Sequence, residues 1–204
     1  MEPSVIIRPA GPSDAPELLA VYAPYVRDTA ISFEYTVPTP EEFRRRVEKT
    51  LERYPYFAAE REGQVLGYCY AGPFIPRAAY DWCAEVSIYL DPAWTGRGLG
   101  KALYQRMEQA LLTMGICSMY ACIGVPEAPD RYLTRNSAEF HSHMGFRQVG
   151  FFKNCGRKFD TWYHMIWMEK TLQTPAAPAP VRPWPEVKPE GGDGICSIST
   201  TNCV

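Results

Sequence analysis

Three closely spaced glycines are the residues of this sequence best suited to binding chemistry. Gly96, Gly98 and Gly100 follow an alternating apolar run and stand where a helical pattern begins. Glycine lets the backbone approach a bound group closely, and the first turn of a helix presents unpaired N–H groups and the positive end of the helix dipole. This arrangement predicts a site for a phosphate or pyrophosphate, although tight turns also use glycine for conformational reasons alone.

The spacing of this turn excludes two common phosphate motifs. A Walker loop requires a glycine where Thr95 stands and a Ser or Thr after Lys101, where the chain has Ala102. A dinucleotide-binding fingerprint requires a third glycine at position 101. The turn instead resembles the Gln/Arg-x-x-Gly-x-Gly/Ala signature of the Gcn5-related N-acetyltransferases, the GNAT family, with Thr95 in place of the usual Gln or Arg. The resemblance implies that backbone amides of this turn hold the pyrophosphate of acetyl-CoA.

Further segments are similar to one branch of that family. They are Thr29–Glu34, Arg53–Pro55, Gly67–Pro73, Arg77–Trp82, Phe140–Phe146 and the Gly-x-Lys-x-x-x-Trp segment that begins at Gly156. In this order, over residues 5–172, they resemble the phosphinothricin and methionine-sulfone acetyltransferases. The resemblance implies an α/β (α+β) GNAT fold, with a mixed, mostly antiparallel central sheet flanked by helices. It also implies acetyl-CoA as co-substrate and a small amine as acceptor.

Glu85 is the candidate base that would take a proton from the acceptor's ammonium group. Period-two alternation places it with Ser87 and Tyr89 on one face of a strand, while Ala84 and Val86 occupy the other. It stands ten residues before Thr95, where the resembled family carries its catalytic glutamate. An ordinary Glu accepting a proton from an amine faces an uphill step of about 5 kcal/mol, so we expect a raised pKa. A salt-bridged or solvated strand residue is the alternative interpretation.

His141 is the candidate general acid or thiolate stabiliser, because the resembled branch carries histidine four residues before the glycine at 145. A histidine near a helix end is also often a structural hydrogen-bonding residue. His143 and His164 could suggest a metal site, but no carboxylate or cysteine cluster has matching ligand spacing. We therefore expect no metal.

The resemblance also implies an acceptor pocket and a set of residues that bind acetyl-CoA. Arg77 would pair with a substrate carboxylate, Tyr80 would add a hydroxyl, and Phe33 would pack on the substrate side chain near Glu85. Individually, these three residues are equally consistent with a surface charge, a core aromatic and a loop anchor. The residues assigned to acetyl-CoA are Ser87, Ile88, Tyr89, Thr95, Gly96, Arg97, Gly98, Leu99, Gly100, Lys101 and Asn136. The family's pantetheine-contacting asparagine would fall nearer Thr134, so the role of Asn136 stays open.

Composition bounds the class of protein. The chain has 204 residues, enough for one domain with a sizeable core, and a net charge of −2, which leaves no basic footprint for nucleic acid. No run of about 18 apolar residues predicts a membrane span, and the N-terminus lacks a signal-peptide pattern. We expect a cytoplasmic protein without a membrane partner, whose cysteines are mostly reduced core residues. A homodimer is expected because related enzymes form one.

The predicted elements alternate between strands and helices. A strand at 5–8, a helix after Ser13 and a second helix after the capping-box pattern at Thr39 precede a hairpin at 56–71. The strand through Glu85, the helix ending at Gly115, a strand at 116–125, a helix at 136–144 and strands near 147–155 and 161–169 complete the domain. This order predicts a mixed sheet covered by helices.

Composition changes at residue 173, so we expect a catalytic domain at 1–172 and an appendage at 173–204. Six prolines between Pro175 and Pro189 predict an extended, hydrated linker, and the Cys/Ser/Thr-rich end predicts disorder. Two glycines before that end also resemble the leader–core junction of ribosomally made, modified peptides. The sequence thus favours an N-acetyltransferase acting on a small amino acid or analogue. Acetylation of another small amine and a non-catalytic acyl-CoA sensor or scaffold remain alternatives, and Glu85 argues against the latter.

Overall fold

The structure, a computed structural model, describes residues 4–189 and, for the backbone only, residues 196–198. Its strands are β1 (Val5–Pro9), β2 (Tyr56–Arg61), β3 (Gln64–Pro73), β4 (Cys83–Leu90), β5 (Ser118–Val125), β6 (Arg147–Lys158), β7 (Thr161–Thr171) and β8 (Cys196–Ile198). Its helices are α1 (Ala15–Asp28), α2 (Pro40–Leu51), α3 (Leu99–Met114), α4 (Asn136–His143) and α5 (Trp184–Val187). The predicted order of elements over the first 172 residues is confirmed.

Local sequence signals account for several of these boundaries. The Thr39 hydroxyl oxygen accepts a hydrogen bond from the backbone N–H of Glu42 at 3.1 Å, and Pro40 occupies the first position of α2. Phe43 and Val47, four residues apart, form the buried stripe of that helix. These features position α2 over one face of the sheet.

The strands form one mixed sheet in the order β6-β7-β5-β4-β3-β2-β1-β8. Neighbouring strands are antiparallel except β4 and β5, which run parallel and are joined by the crossover helix α3. The β4–β5 pairing covers only three positions, from Cys83–Ser118 to Glu85–Tyr120. Beyond Glu85 the two strands separate, and the sheet is split between them.

The sheet buries a separate core on each face. One core packs α3 and the apolar positions of β4, including Ala84 and Val86. The other packs α1 and α2 against Tyr56 and Tyr68, with Tyr89 partly buried beside them. The predicted alternation of β4 is therefore confirmed, and Glu85 lies on the α1–α2 face.

The segment after β7 differs from its predicted form. Residues 174–180 are exposed, but Trp184 in α5 is only 6% exposed and its ring lies 5.9 Å from that of Phe57. The backbone N–H of Arg182 donates to Met114, and that of Trp184 donates to Arg53. The prediction of a hydrated linker is therefore wrong for the part around Trp184. The proline content of a segment does not indicate whether one aromatic side chain in it packs against the domain. Of the Cys/Ser/Thr-rich end, only the backbone of β8 is described, and it pairs with β1; the rest of the disorder prediction and the leader–core junction lie outside the described residues.

The cysteines are less buried than expected. All five cysteines with a described side chain are free, but only Cys69 is buried, whereas Cys122 and Cys155 are exposed. Cys122 lies on β5, which borders the split, and Cys155 lies on β6, the edge strand on the same side of the sheet.

Candidate functional site

A narrow channel runs through the split between β4 and β5. Its cavity of about 60 Å³ is walled by Val86, Ser87, Ile88 and Tyr89 on one side and by β5 on the other. From other elements, Ile31, Tyr104, Ser137 and His141 complete the wall. Backbone groups of β4 and β5 that face the gap have no partner strand there, so they are available to an extended chain carrying amide groups.

The glycine turn follows β4, beyond the end of the strand segment that walls the channel. Gly98 is the N-cap of α3 with φ of +79°, and Gly96 has φ of +72°, values that other residues rarely adopt. The first helical bond runs from Ala102 N–H to Gly98 C=O at 3.1 Å, so the preceding N–H groups remain available to an anion. Gly100 has a packing role, because a Cβ there would lie 2.9 Å from the Phe140 ring.

Positive side chains surround this turn. Arg97 and Lys101 are exposed, and the Arg97 guanidinium lies 4.8 Å from the centre of the Trp94 ring. Gly96, Gly98, Gly100 and Lys101 line an open groove that also includes Lys170, whose ammonium pairs with Glu108. The Thr95 hydroxyl donates to Pro92 C=O at 3.0 Å and so helps to hold the turn. The groove suits a pyrophosphate in both charge and backbone geometry.

Glu85 occupies the last paired position of β4 before the split. It pairs with Gly72 of β3 on one side and with Tyr120 of β5 on the other. Among the described residues, its half-buried carboxylate has neither a hydrogen-bond nor an ion-pair partner. Burial raises its pKa, as expected from the sequence. A raised pKa brings the carboxylate closer to the range of a general base for an amine.

His141 is held in one tautomer by two hydrogen bonds. Its Nδ1 lies 2.7 Å from the carbonyl oxygen of Ser137, which can only accept, so Nδ1 carries the proton. Its Nε2 is therefore the acceptor for the Tyr104 hydroxyl at 2.8 Å. The side chain is only 4% exposed, and burial lowers its pKa to about 4.

The role expected for His141 stays a prediction, and this geometry does not favour it. An imidazole that is neutral at pH 7, with its single N–H bound to a carbonyl, is neither a general acid nor a hydrogen-bond donor to a thiolate. The hydroxyl proton of Tyr104 is likewise engaged, because it is donated to Nε2 of His141, and burial raises the pKa of that hydroxyl. The two residues form a neutral hydrogen-bonded pair in the channel wall, and His141 positions Tyr104.

Phe33 lies close to the channel but does not line it. A Cβ on Gly124 would lie 3.4 Å from the Phe33 ring, whereas Gly124 itself lines the channel. The Phe33 ring also fills the space beside Gly156, and it belongs to a small core with Tyr163. Phe33 is thus one layer behind the channel wall.

A buried lysine fixes the loop that carries Phe33. The ammonium group of Lys158 is enclosed at the end of β6 and donates to three backbone carbonyls, those of Val26 at 2.8 Å, Thr29 at 2.8 Å and Ser32 at 2.6 Å. The side chain is 3% exposed, and desolvation lowers its pKa. All three ammonium donors are used, so Lys158 ties the end of α1 and the following loop to the β6–β7 hairpin.

Arg77 and Tyr80 lie together on the loop between β3 and β4. Both are exposed, and Arg77 is the N-cap of a short 3₁₀ turn that contains Tyr80. The Tyr80 ring packs edge-on against Phe74, which stacks on Tyr120, the β5 partner of Glu85. The loop therefore flanks β4, the strand that carries Glu85, although neither side chain lines the channel.

Asn136 is not part of the channel wall. It is exposed at the start of α4, and its backbone N–H donates to the Thr134 hydroxyl at 3.3 Å. Thr134 is exposed as well, whereas the next residue of the helix, Ser137, does line the channel. The structure therefore places neither candidate for the pantetheine contact in the channel.

Sequence reasoning missed Tyr104, Ser137, Ile31 and Lys158. Tyr104 follows Gly100 by one helical turn on the buried side of α3, so a polar group at a core position was the available signal. Lys158 stands in the Gly-x-Lys-x-x-x-Trp segment, but its three partners are more than 120 positions away in sequence. No local pattern identifies such partners.

The described residues offer neither a metal cluster nor a membrane helix. No group of three or more His, Cys, Asp or Glu side chains among them is placed to hold a metal ion. Likewise, no helix within the described part of the chain is long and apolar enough to cross a membrane.

Comparisons with known proteins agree with this geometry. A family model described as an acetyltransferase (GNAT) domain matches residues 7–167. A phosphinothricin N-acetyltransferase from Streptomyces viridochromogenes is 32% identical over 88% of this chain and 94% of its own length. An L-methionine sulfoximine/L-methionine sulfone acetyltransferase from Pseudomonas paraeruginosa is 29% identical over 87% of this chain and 99% of its own length. The structure of a GNAT superfamily phosphinothricin acetyltransferase from Sinorhizobium meliloti in complex with AcCoA is similar with a TM-score of 0.76 and 29% identity. That similarity covers 92% of this chain and 97% of the other.

Proposed function

The chain belongs to the GNAT family of acetyltransferases, and from that premise we propose that it acetylates the amino group of a small amino acid or amino-acid analogue. Membership of the family makes it an acetyl-CoA-dependent N-acetyltransferase. The relatives named for phosphinothricin and for methionine sulfoximine and sulfone support an acceptor that carries both an amine and an acidic group.

One observation supports this proposal above the others. Glu85 stands where β4 and β5 separate, one residue before the β4 segment that walls the channel. Leu90, just beyond the other end of that segment, lines the groove of the glycine turn. A ligand held by the turn and extended along the split would bring its terminal group to Glu85. The groove's exposed cations and free helix amides suit a pyrophosphate, and the unpaired strand edges suit an amide-bearing arm.

The protein's part in the reaction is to remove a proton and to hold the reactants in place. Acetyl-CoA, when bound, supplies an acetyl thioester. Glu85 takes one proton from the ammonium group of the acceptor, and the amine nitrogen then bonds to the acetyl carbon while the carbon–sulfur bond breaks. Of the ammonium group's three protons, one stays on the amide nitrogen, one passes to the leaving sulfur, and one leaves through Glu85. Because His141 is neutral, no protein acid enters this balance.

The acceptor's carboxylate is assigned to Arg77. This guanidinium lies on the loop that flanks Glu85 and makes no salt bridge within the described part of the chain. Arginine binds carboxylates through two parallel hydrogen bonds, which would orient the amine toward the channel. Tyr80 contributes a hydroxyl from the same loop, and Phe33 supports the channel wall from behind.

A second copy of the chain is part of the proposal. The sheet ends at β6, and the β6–β7 hairpin carries four exposed large apolar side chains, Val149, Phe151, Phe152 and Trp162. An exposed apolar edge strand is typical of an interface. Sedimentation would show a dimer that Phe151→Arg converts to a monomer.

We place the reaction in the cytoplasm, where acetylation of an inhibitory amino-acid analogue would confer resistance to it.

A mass-spectrometric acetylation screen tests the proposed function. The purified chain would be incubated with acetyl-CoA and a panel of methionine sulfone, methionine sulfoximine, phosphinothricin, common amino acids and polyamines. Acetylation confined to amines that bear a carboxylate supports the proposal, whereas acetylation of polyamines alone contradicts it. If acetyl-CoA binds but no amine is acetylated, a sensor role replaces the enzyme role.

A further inference from the structure

A second cavity lies on the α1–α2 face of the sheet, the face that carries Glu85. It has a volume of about 460 Å³ and lies between α2 and the strands β2, β3 and β4. Its walls combine charged side chains with aromatic ones, among them Tyr56, Tyr68, Tyr70, Tyr89 and Phe43. Pockets of about 300–1,000 Å³ with such walls typically enclose an organic ligand.

The mouth of this cavity reaches the catalytic strand. Gly72, which lines it, pairs directly with Glu85, and Tyr70 pairs with Ser87. Because side chains alternate along paired strands, all four residues lie on one face of the sheet. A Cβ at Gly72 would meet nothing within 4 Å, so the space beside Glu85 is open. The side chain of an acceptor whose amine is at Glu85 can therefore extend over Gly72 into the cavity.

The walls suit a neutral aromatic group. Tyr56 and Tyr70 stack with ring centres 5.0 Å apart, and Tyr68 stacks on Tyr56 at 5.6 Å. Tyr70 and Tyr89 are only partly buried, so their rings are the ones available to a ligand ring. The arginines of the wall are already neutralised, since Arg46 pairs with Glu34 at 2.6 Å and Arg53 pairs with Asp81 at 3.1 Å. Lys49 is the one cation of the wall without an ion pair among the described residues, and its side chain is exposed. Apart from Lys49, an acidic side chain would meet rings and paired charges, so most of the cavity favours a neutral group.

We infer that the acceptors include α-amino acids with an aromatic side chain, whose ring occupies this cavity while the amine lies at Glu85. The inference rests on the proposed function and narrows its substrate class. Methionine sulfone and phosphinothricin, which lack a ring, would leave most of the cavity filled with water. The aromatic acceptors gain the burial of a ring, so their kcat/KM exceeds that of methionine sulfone by about tenfold or more.

Two substitutions test this inference from opposite ends of the cavity. Gly72→Val narrows its mouth, and Thr50→Phe fills it from α2, since Thr50 also lines it. The quantity measured is the ratio of kcat/KM for phenylalanine and tryptophan to kcat/KM for methionine sulfone, which partial loss of folded enzyme does not change. Arg45→Phe places the same ring on an exposed position of α2 outside the cavity and serves as the matched control.

We expect both cavity variants to lower the ratio at least tenfold and the control to leave it unchanged. Acetylation of methionine sulfone without acetylation of any aromatic amino acid would overturn the inference and leave the proposed function standing. An unchanged ratio in both cavity variants would overturn it as well. Absence of acetylation of every amine, despite acetyl-CoA binding, would overturn the proposed function together with the inference.

Discussion

The hydroxyl group of Tyr104 donates to Nε2 of His141 across 2.8 Å, in the wall of the channel between β4 and β5. Since Nδ1 of the same ring donates to Ser137, the imidazole is neutral and both of its nitrogens are engaged. This pairing joins α3 to α4 at the channel. It gives the residue at the position of the expected acid a structural role.

The first prediction concerns the stability of the protein in acid. The pKa of His141 falls from 6.5 in the unfolded chain to about 4 in the folded protein. The unfolded state therefore binds a proton first as the pH falls, so stability is lost between pH 6.5 and about 4 and the loss ends below that. At about 1.4 kcal/mol for each pKa unit, the loss amounts to about 3 kcal/mol.

Urea denaturation at pH 7, 5 and 4 measures this loss in the wild type, His141→Gln and His143→Gln. His143 lies on the same helix but is exposed, so its replacement should keep the wild-type acid sensitivity. His141→Gln should lose most of that sensitivity. Equal acid loss in all three proteins would refute the neutral, buried imidazole.

The second prediction assigns the base. Glu85→Gln should reduce kcat by about 10²–10⁴ while leaving acetyl-CoA affinity nearly unchanged, because the amide cannot accept the ammonium proton. Stopped assays with mass detection give kcat, and titration of acetyl-CoA gives the affinity. An unaffected kcat would remove Glu85 from the mechanism.

The raised pKa of Glu85 adds a stability signature to the same variant. A carboxyl group whose folded pKa is raised contributes stability that is fully present below its unfolded pKa and is lost as the pH rises through the folded pKa. The wild type should therefore lose stability relative to Glu85→Gln on going from pH 4 to pH 8. The kcat of the wild type should instead fall as the pH is lowered, because acid protonates the base. Coincident pH dependence of the two quantities would identify one titrating group.

The elements that position the site could be predicted because their signals are local. The cap at Thr39, the alternation around Glu85 and the glycines before α3 each act within a few residues of the chain. Short-range backbone geometry and side-chain periodicity determine such features. The predicted placement of Glu85 on the face opposite Ala84 and Val86 follows from these signals alone.

The remaining features depend on distant contacts. The neutral state of His141 results from burial against α3, which the sequence around position 141 does not reveal. The prolines after residue 173 predicted a hydrated linker, but Trp184 packs against Phe57, which lies more than 100 positions earlier in the sequence. Such errors arise where tertiary packing outweighs local composition.

The third prediction concerns Arg77. Arg77→Ala should raise the KM for the amino-acid acceptor at least tenfold with a much smaller change in the KM for acetyl-CoA, because a two-bond contact to a carboxylate is lost. Arg45→Ala, at an exposed position on α2, is the control. If the acceptor KM of Arg77→Ala equals that of the wild type, Arg77 does not bind the acceptor's carboxylate.

The fourth prediction concerns the loop between α1 and α2. Lys158→Met leaves three backbone carbonyls without their donor, at a cost of about 1–3 kcal/mol each for those that stay dry. Since this loop carries Ile31 of the channel wall and Phe33 behind it, we expect the acceptor KM to rise more than kcat falls. Lys153→Met, an exposed lysine of the same strand, should change neither constant. A lower apparent kcat with an unchanged acceptor KM would point to a general loss of folded enzyme instead of a displaced loop.

The fifth prediction concerns the segment after β7. Trp184 is buried against Phe57, and the Arg106 guanidinium lies 4.7 Å from the Phe57 ring and 5.7 Å from the Trp184 ring. Trp184→Ala should therefore reduce the free energy of unfolding by about 3–5 kcal/mol, and truncation after Leu172 should reduce it by at least as much. Lys188→Ala, at an exposed position nearby, should stay within about 0.5 kcal/mol of the wild type. Because no described residue of the segment lines the channel, the folded fraction of each variant should keep its kcat. A truncated protein as stable as the full chain would show that the anchor contributes nothing and would restore the hydrated linker.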